Sequence, residues 1–402
     1  MDLTAEHLIL LSIPIISAIV GWFTNFLAVK MMFYPIEFWG IKPFLGWQGL
    51  IPQKRREMAE IEVELVLGKL LKVEEIAARI DPNELTQNIQ RRLKQIIRRL
   101  VNDIMQESSP KTWASMPVQG KNLVYQRIEW DIPNVVQKTV ADFQHNVSEI
   151  IDIKELVVKQ LVDKPELINE IFLKAGAKEF PFIEKSGLYF GFLFGLPTMA
   201  IWHFYQLWWI LPVGGLIVGY ATNWIAIKII FEPKNPIKVG PLVFQGMFLK
   251  RQKEVARVYS EIIDKKLLNS QNIADIVLHG SGSENLLELI ELHVNDAVER
   301  YVAIAQPYFA LSVGSENYFK MKEIAAKRIF DSSESYLSYA YDYTNSALCI
   351  GEDLCQKMQA LSPEEFEGVL RPAYQADEWK LIVTGALLGM AAGFFQIYFV
   401  FN

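Results

Sequence analysis

The chain is poor in the residues that most often do chemistry. Its 402 residues include five histidines and two cysteines. Cys349 and Cys355 stand in a polar region, too few for a disulfide framework, and no Cys-x-x-Cys half-site is present. His7, His145, His203, His279 and His293 are scattered, with no His-x-x-x-His pair, no carboxylate–histidine metal spacing and no Gly-x-Ser-x-Gly elbow. "HGSGSEN", residues 279 to 285, is rich in Gly and Ser but lacks the lysine and the strand-to-helix context of a phosphate loop, so it reads as a flexible turn. These absences argue against an enzyme and leave no metal or cofactor to name. Nucleic acid is disfavoured as a partner, because a chain of net charge −6 would need more basic surface than one helix to neutralise enough phosphates.

Charge is missing from long stretches, and that absence carries information. Between Lys185 and Lys228 lie 42 residues without Asp, Glu, Lys or Arg, twice the roughly 20 that one helical span needs. The stretch therefore reads as two spans joined by a tight turn near His203. Leu8 to Val29 and Leu381 to Asn402 are further uncharged runs of 22 residues each. The first lacks a positive n-region and a small-residue cleavage site, so it reads as a retained anchor. The expectation is a mainly α membrane protein with four transmembrane helices, at 8–30, 183–203, 206–228 and 381–401. Helical domains at 31–182 and 229–380 fill the intervals.

The same plan is written twice. "GWFTNFLAVKMMFYP" (21–35) and "GYATNWIAIKIIFEP" (219–233) share seven identities in fifteen positions, 198 residues apart. Gly187, Gly191 and Gly195 answer at the same offset to Gly385, Gly389 and Gly393, as Pro165 does to Pro363. Two tandem parallel repeats follow, each a span, a polar insertion and a second span, which puts both polar regions on one side. Ten lysines and arginines flank the spans on that side, among them Lys30, Lys42 and Lys228, and none on the other. The polar regions are thus expected in the cytoplasm of a cell inner membrane, with both termini outside. Trp202, Tyr205, Trp208 and Trp209 would form an outer aromatic belt.

Within the spans, Thr24, Asn25, Thr222 and Asn223 are the unusual residues, because polar groups at bilayer depth need partners. Asn25 shares a helix face with Gly21, Ala28 and Met32, and Asn223 with Gly219, Ala226 and Ile230. The glycine runs of spans two and four allow close backbone approach. The two asparagines are expected to bond across helices at such seams, worth about 0.6 to 2 kcal/mol each; contact with a substrate or lipid is the alternative. No Asp or Glu lies in a span core, so an ion relay has no obvious carrier.

Each polar region opens with an apolar stretch broken by Gly and Pro, "IEFWGIKPFLGWQGLIPQKRRE" and "KNPIKVGPLVFQGMFLKRQKE", too interrupted for a long helix. A short hairpin at headgroup level is expected, with Trp39, Phe44 and Trp47 in the interface. Lys30, Lys54, Arg55, Arg56, Lys228, Lys250 and Arg251 would lie near the bilayer and its anionic lipid headgroups. Beyond it, Leu85, Ile97, Leu100 and Ile104 mark one apolar helical face, and Val136, Val140, Phe143, Val147 and Ile150 another within a helix over 135–163. The first of these helices carries Arg91, Arg92, Lys94, Arg98 and Arg99, where the second copy carries Glu284, Glu288, Glu291, Asp296 and Glu299. These charged faces are expected to meet across the pseudo-axis or between subunits of a homo-oligomer, against the plainer alternative of two solvated faces.

"GWFTNFLAVKMMFYP", "GLIPQKRREMA" and "LSPEEFEGVLRPAYQADEWKLIVTGALLGMAAGFFQ" together resemble the bacterial inner-membrane proteins grouped as domain-of-unknown-function family 445. That resemblance implies a bacterial membrane protein with helical cytoplasmic regions and brings no catalytic residues. "MFLKRQKE" in the second copy departs from "LIPQKRRE" in the first. A membrane scaffold or envelope-organising protein is the leading expectation, and a lipid-handling or transport protein the alternative.

Overall fold

The computed structural model describes residues 5–41, 45–64, 68, 70–309, 315–371, 375 and 378–401; Lys42 and Phe44 lie outside them. The chain is mainly helical. Its helices include α1 (Ala5–Phe33), α2 (Pro82–Ser108), α3 (Val118–His145), α4 (Pro165–Ala175), α5 (Glu179–Tyr205), α6 (Ile210–Phe231), α7 (Gln252–Ile262), α8 (Ser283–Phe309), α9 (Ser315–Asp331), α10 (Pro363–Leu370) and α11 (Glu378–Gln396). Two antiparallel hairpins pair β1 (Trp39–Ile41) with β2 (Leu45–Trp47), and β3 (Ile237–Val239) with β4 (Leu242–Phe244).

Among the described residues four helices are long and apolar enough to cross a membrane: Leu10–Phe33, Glu179–Tyr205, Ile210–Phe231 and Glu378–Val400. Each continues past the uncharged run at the end bearing Lys30, Lys185, Lys228 or Lys380. Helical hydrogen bonding does not stop at the last apolar residue, and a lysine stem can lie along the helix while its ammonium reaches water. What ends α1 and α6 is Pro35 and Pro233, since the residue before a proline is disfavoured in the helical region; both Tyr34-Pro35 and Glu232-Pro233 bonds are cis. At the other end Gln206 takes a left-handed conformation (φ 44°) and its N–H bonds Trp202 O at 3.0 Å, closing α5. The interspan turn therefore follows Tyr205, later than expected.

The chain divides into two compact units, each drawing on both polar regions. The first comprises Met1–Val66, Val158–Ile262 and Leu354–Asn402, and the second Leu67–Val157 and Ile263–Asp353. In the first, α1 packs along α5 and α6 along α11, with α5 against α6 and α1 against α11 and α6. Short helices at Leu50–Gln53 and Met247–Lys250 bury Leu50 and Ile51, and Phe248 and Leu249. Trp202, expected in the outer belt, turns inward instead to Ile13, Ile210 and Leu211. A large apolar ring gains more from that contact than from the interface. Tyr205, Trp208 and Trp209 are exposed.

The second unit is a ring of four helices: α2 borders α3, α3 borders α8, α8 borders α9, and α9 borders α2. Asp81 starts α2 by accepting from Asn83 N and Glu84 N, with Pro82 at the first helical position. α2 and α8, the basic and acidic helices, occupy opposite corners of this ring, and three of their charges pair with neighbouring helices. Arg98 and Lys94 reach Glu129 of α3 at 3.6 and 3.9 Å, and Lys322 of α9 bonds Glu299 at 2.5 Å.

Two further expectations are corrected. The helix over 135–163 is three pieces, because Asn146 bonds Asp142 O at 2.9 Å and Asp152 accepts from Glu155 N at 3.0 Å, ending one helix and starting another. The turn at 279–285 is pinned rather than loose. Ser281 N donates to Glu155, Asn285 to Glu149 O, and a Cβ at Gly282 would collide with Ile150 O.

Candidate functional site

Within the first unit the sequence-flagged residues come together at two seams. Gly21 of α1 lies against Gly187 and Gly191 of α5, so closely that a Cβ on any of them would strike the backbone of the facing helix. Gly195 meets Pro14 and Ser17. In the second pair Gly219 and Gly215 of α6 face Gly385 and Gly389 of α11, and Gly393 meets Leu211 and Pro212. Such approach is open only to residues without a side chain. Asn25, fully buried, donates through Nδ2 to Ile183 O at 2.7 Å; Asn223, 2% exposed, donates to Leu381 O at 2.8 Å. A carbonyl can only accept, so each amide must turn its NH2 to the partner helix. That leaves Oδ1 of both residues buried without a hydrogen bond. Thr24 and Thr222 serve their own helices, bonding Gly21 O and Gly219 O at 3.1 and 3.3 Å. The seam is therefore built by asparagine and glycine, with threonine only satisfied beside it.

Asn25 and Asn223 also line one small cavity of about 40 Å³ with Ala28, Ala226, Glu179 and Glu378. The carboxylate of Glu179, 1% exposed, takes two bonds from Arg251 at 2.5 and 2.7 Å. Arg251 also holds Glu254 at 2.9 Å, and Lys178 reaches Glu254 at 2.7 Å. Hydrogen bonds from Arg251, then Lys178, hold the Glu254 carboxyl down at about 2. Arg251 is thus committed within the protein. Across the unit, Glu367, 3% exposed, pairs with Lys234 at 2.7 Å and with Arg371. Burial pushes the Glu367 carboxyl up, but these two cations outweigh it and the net shift is downward.

The remaining basic residues stay at the surface or half-buried. Lys30 sits 5.7 and 5.5 Å from the Phe26 and Tyr34 ring centres. Lys228 lies 4.9 Å from the Trp224 ring and 3.3 Å from Glu232. Lys54 pairs with Glu57 at 3.5 Å and Arg56 with Glu60 at 3.2 Å; Arg55 is half-buried and Lys250 exposed.

The second unit holds a feature that motif reading missed. Between its four helices lies a chamber of about 310 Å³, walled by Ile97, Leu100 and Ile104 of α2, Ile128 of α3, Val294 of α8 and Ala325 of α9 among others. Several polar groups in the wall have hydrogen-bond partners within the protein. Tyr301 donates to Asp131 at 3.1 Å, Thr139 to Val135 O at 2.9 Å, and Trp113 Nε1 to Asn102 at 3.0 Å. Asp142 Oδ2 lies 2.9 Å from His293 Nε2. The signal was present for α2 in the apolar face of 85–106, which sequence reads as filled core, whereas the α3 wall, Val124, Ile128, Ile132 and Val135, is not the face read over 135–163. Periodicity shows that a face is apolar, and only packing shows that it encloses space. Among the described residues there is no cluster of three or more His, Cys, Asp or Glu suited to a metal ion.

Four apolar helices with interlocked backbones define an integral membrane protein of the helical class. The family resemblance carries through at the level of sequence comparison. The model of a family described as protein of unknown function (DUF445) matches residues 15–121. Similar curated proteins include several called UPF0754 membrane proteins. That of Microcystis aeruginosa is 40% identical over 72 residues, covering 17% of this chain and 18% of the relative. That of Synechococcus sp. is 24% identical over 182 residues (39% and 43%), and that of Bacillus cereus 22% over 134 residues (32% and 35%). The chain thus spans well under half the length of these relatives. No solved structure matches.

Proposed function

We propose that this chain is a non-enzymatic lipid-handling protein of the bacterial cytoplasmic membrane, whose second unit takes up the hydrocarbon portion of a lipid. The observation that carries this reading is the 310 Å³ chamber. Protein interiors hold few voids larger than a water molecule. A cavity of about 150 Å³ lined by aliphatic residues already binds benzene. A space twice as large, apolar and partly open to its surroundings, is wide enough to admit a hydrocarbon chain. An apolar chain is the occupant its wall suits.

The topology that goes with this reading has two tandem parallel copies, polar regions in the cytoplasm and both termini outside. Recurrence at fixed offsets supports the repeat: each asparagine bond spans 158 residues, and the two bonds lie 198 residues apart. The one-sided lysines and arginines support the orientation. A scaffold role is the second reading. It is favoured by Leu123 and Trp130, 52% and 70% exposed on one face of α3, with Arg127 at 4.6 Å over the Trp130 ring, a surface suited to self-association or a protein partner.

Native mass spectrometry of the full chain in mild detergent tests the proposal. Lipid mass should accompany the protein and be lost in Ala297→Trp, which fills the chamber. Absence of bound lipid, or equal retention in the variant, overturns it.

A further inference from the structure

The two hairpins that follow α1 and α6 are fastened at the base and bare on one face. Gln48 Nε2 donates to Ile36 O at 2.7 Å and Gly49 N to Pro35 O at 2.9 Å. In the second, Gln245 Nε2 donates to Lys234 O at 3.1 Å and Gly246 N to Pro233 O at 2.9 Å. A Cβ at Gly49 would press on the backbone of Phe33 and Tyr34, and one at Gly246 on that of Phe231. Each hairpin is thereby held hard against the end of a span, where its position is fixed by the backbone rather than by its tip.

The register sorts the side chains. Trp39 pairs with Trp47 across the first hairpin, so these two and Ile41, two residues on, share one face; Ile237 and Phe244 share a face of the second in the same way. The opposite faces carry Gly40 and Gly46, and Lys238 and Val243. On the apolar faces Trp39 is 78% exposed, Ile41 73%, Ile237 53% and Phe244 51%. A two-stranded hairpin is marginal in water without something to pack against, and here the apolar face has little protein on it. The arrangement occurs twice, at equivalent distances beyond two spans.

We propose that both hairpins are membrane-interface anchors, lying with these apolar faces in the boundary between headgroups and acyl chains. The bilayer that surrounds the adjoining spans supplies the missing surface, and tryptophan is favoured at that depth. Depth is limited from the other side by the backbone. The outer edges of each hairpin present N–H and C=O groups that hydrocarbon cannot satisfy, so the hairpins stop at the interface, about 5–10 Å deep. This inference depends on the spans and not on the chamber.

The test uses the full chain reconstituted in phospholipid vesicles. Cys349→Ser and Cys355→Ser clear the background, and Ile41→Cys, Ile237→Cys or Lys238→Cys accepts an environment-sensitive fluorophore. These positions are exposed, so folding is not at stake. At 41 and 237 we expect a blue-shifted emission, loss of fluorescence with nitroxide placed near the headgroup, and little loss with nitroxide at the chain end or with aqueous iodide. At 238 iodide should quench. Iodide quenching at 41 and 237 as strong as at 238 would show faces open to water and overturn the proposal. Protection from both iodide and lipid nitroxide would assign the faces to a protein partner and overturn it equally.

Discussion

The pair α1–α5 and the pair α6–α11 are built alike at depth and differently at their charged ends. In each, an asparagine bonds a backbone carbonyl of the facing helix, at 2.7 and 2.8 Å, and glycines hold the backbones in contact. At the end of α1 the buried Asn169 donates to Phe33 O at 2.7 Å. The residue 198 positions later is Glu367, which instead gathers Lys234 and Arg371. At this equivalent position α1 is closed by a neutral amide and α6 by a charged cluster, while Glu179 and Arg251 form a second charged cluster at the start of α5. In hydrocarbon every polar group must be met inside the protein and there is no space for a Cβ, so few solutions exist. Near water several polar arrangements serve, and the two ends have taken different ones.

The comparison breaks first where charge is buried. Arg251→Met would leave the carboxylate of Glu179 without the two bonds that satisfy it, at a cost of about 3–5 kcal/mol. Adding Glu179→Leu should recover most of that loss. Asn169→Ala, which removes one neutral bond, should cost only about 1–3 kcal/mol. Equilibrium unfolding in mixed micelles measures all three, and equal costs for Arg251→Met and Asn169→Ala would erase the distinction between charged and neutral closures. Next come Gly187→Val and Gly389→Val. Each inserts side-chain atoms where the facing backbone already sits, and each should lose about 1–3 kcal/mol or more, to the same extent in both pairs. Unequal losses would mean that the two seams are less alike than their geometry.

Most of the first unit was legible in sequence, because charge exclusion, glycine spacing and a repeated Thr-Asn are local patterns with one physical cause each. Asn25 and Asn223 stood out as amides among apolar residues, and their partner helices followed from the glycine runs. Legibility fell where the cause is long-range. The Glu179–Arg251 pair joins residues 72 apart, and neither residue looks unusual beside its neighbours. Trp202 looked like an interface residue and packs inward, since composition cannot tell which side of a helix faces protein. In the second unit the apolar face of α2 was readable, but the ring it helps to close and the space inside it depend on α3, α8 and α9. The breaks at Asn146 and Asp152 were written in capping residues that periodicity overrides.

A smaller effect is expected at the amides themselves. Asn25→Leu and Asn223→Leu each remove one interhelical bond together with a buried Oδ1 that has no hydrogen bond, so gain and loss partly cancel and each should cost about 0.6 kcal/mol and no more than about 2. The two values should agree within error in the same unfolding assay. A large cost at one site alone would mark that amide as doing something beyond packing.

The smallest predicted effect is a response to acid at the Arg251 cluster. Glu254 is half-buried, and its carboxyl is held from 4.5 down to about 2 by hydrogen bonds from Arg251 and then Lys178. A group depressed on folding contributes its stabilisation fully above the unfolded value and loses it as pH falls through the folded one. The contribution of Glu254 is therefore present above about pH 4.5 and drains away toward pH 2. Glu367 acts in the same direction, since Lys234 and Arg371 prevail over its burial. Asn169 has no proton to take up in this range. Glu254→Gln should thus lower Tm slightly near pH 7 and leave it unchanged near pH 2, which flattens the fall between pH 4.5 and 2; the loss is small because ion pairs near the surface are worth little. Asn169→Ala should lower Tm by the same amount at both pH values. If the acid slope of Tm is unchanged in Glu254→Gln, the stabilisation lost on acidification belongs to other carboxylates, and the contrast between charged and neutral closures does not extend to pH.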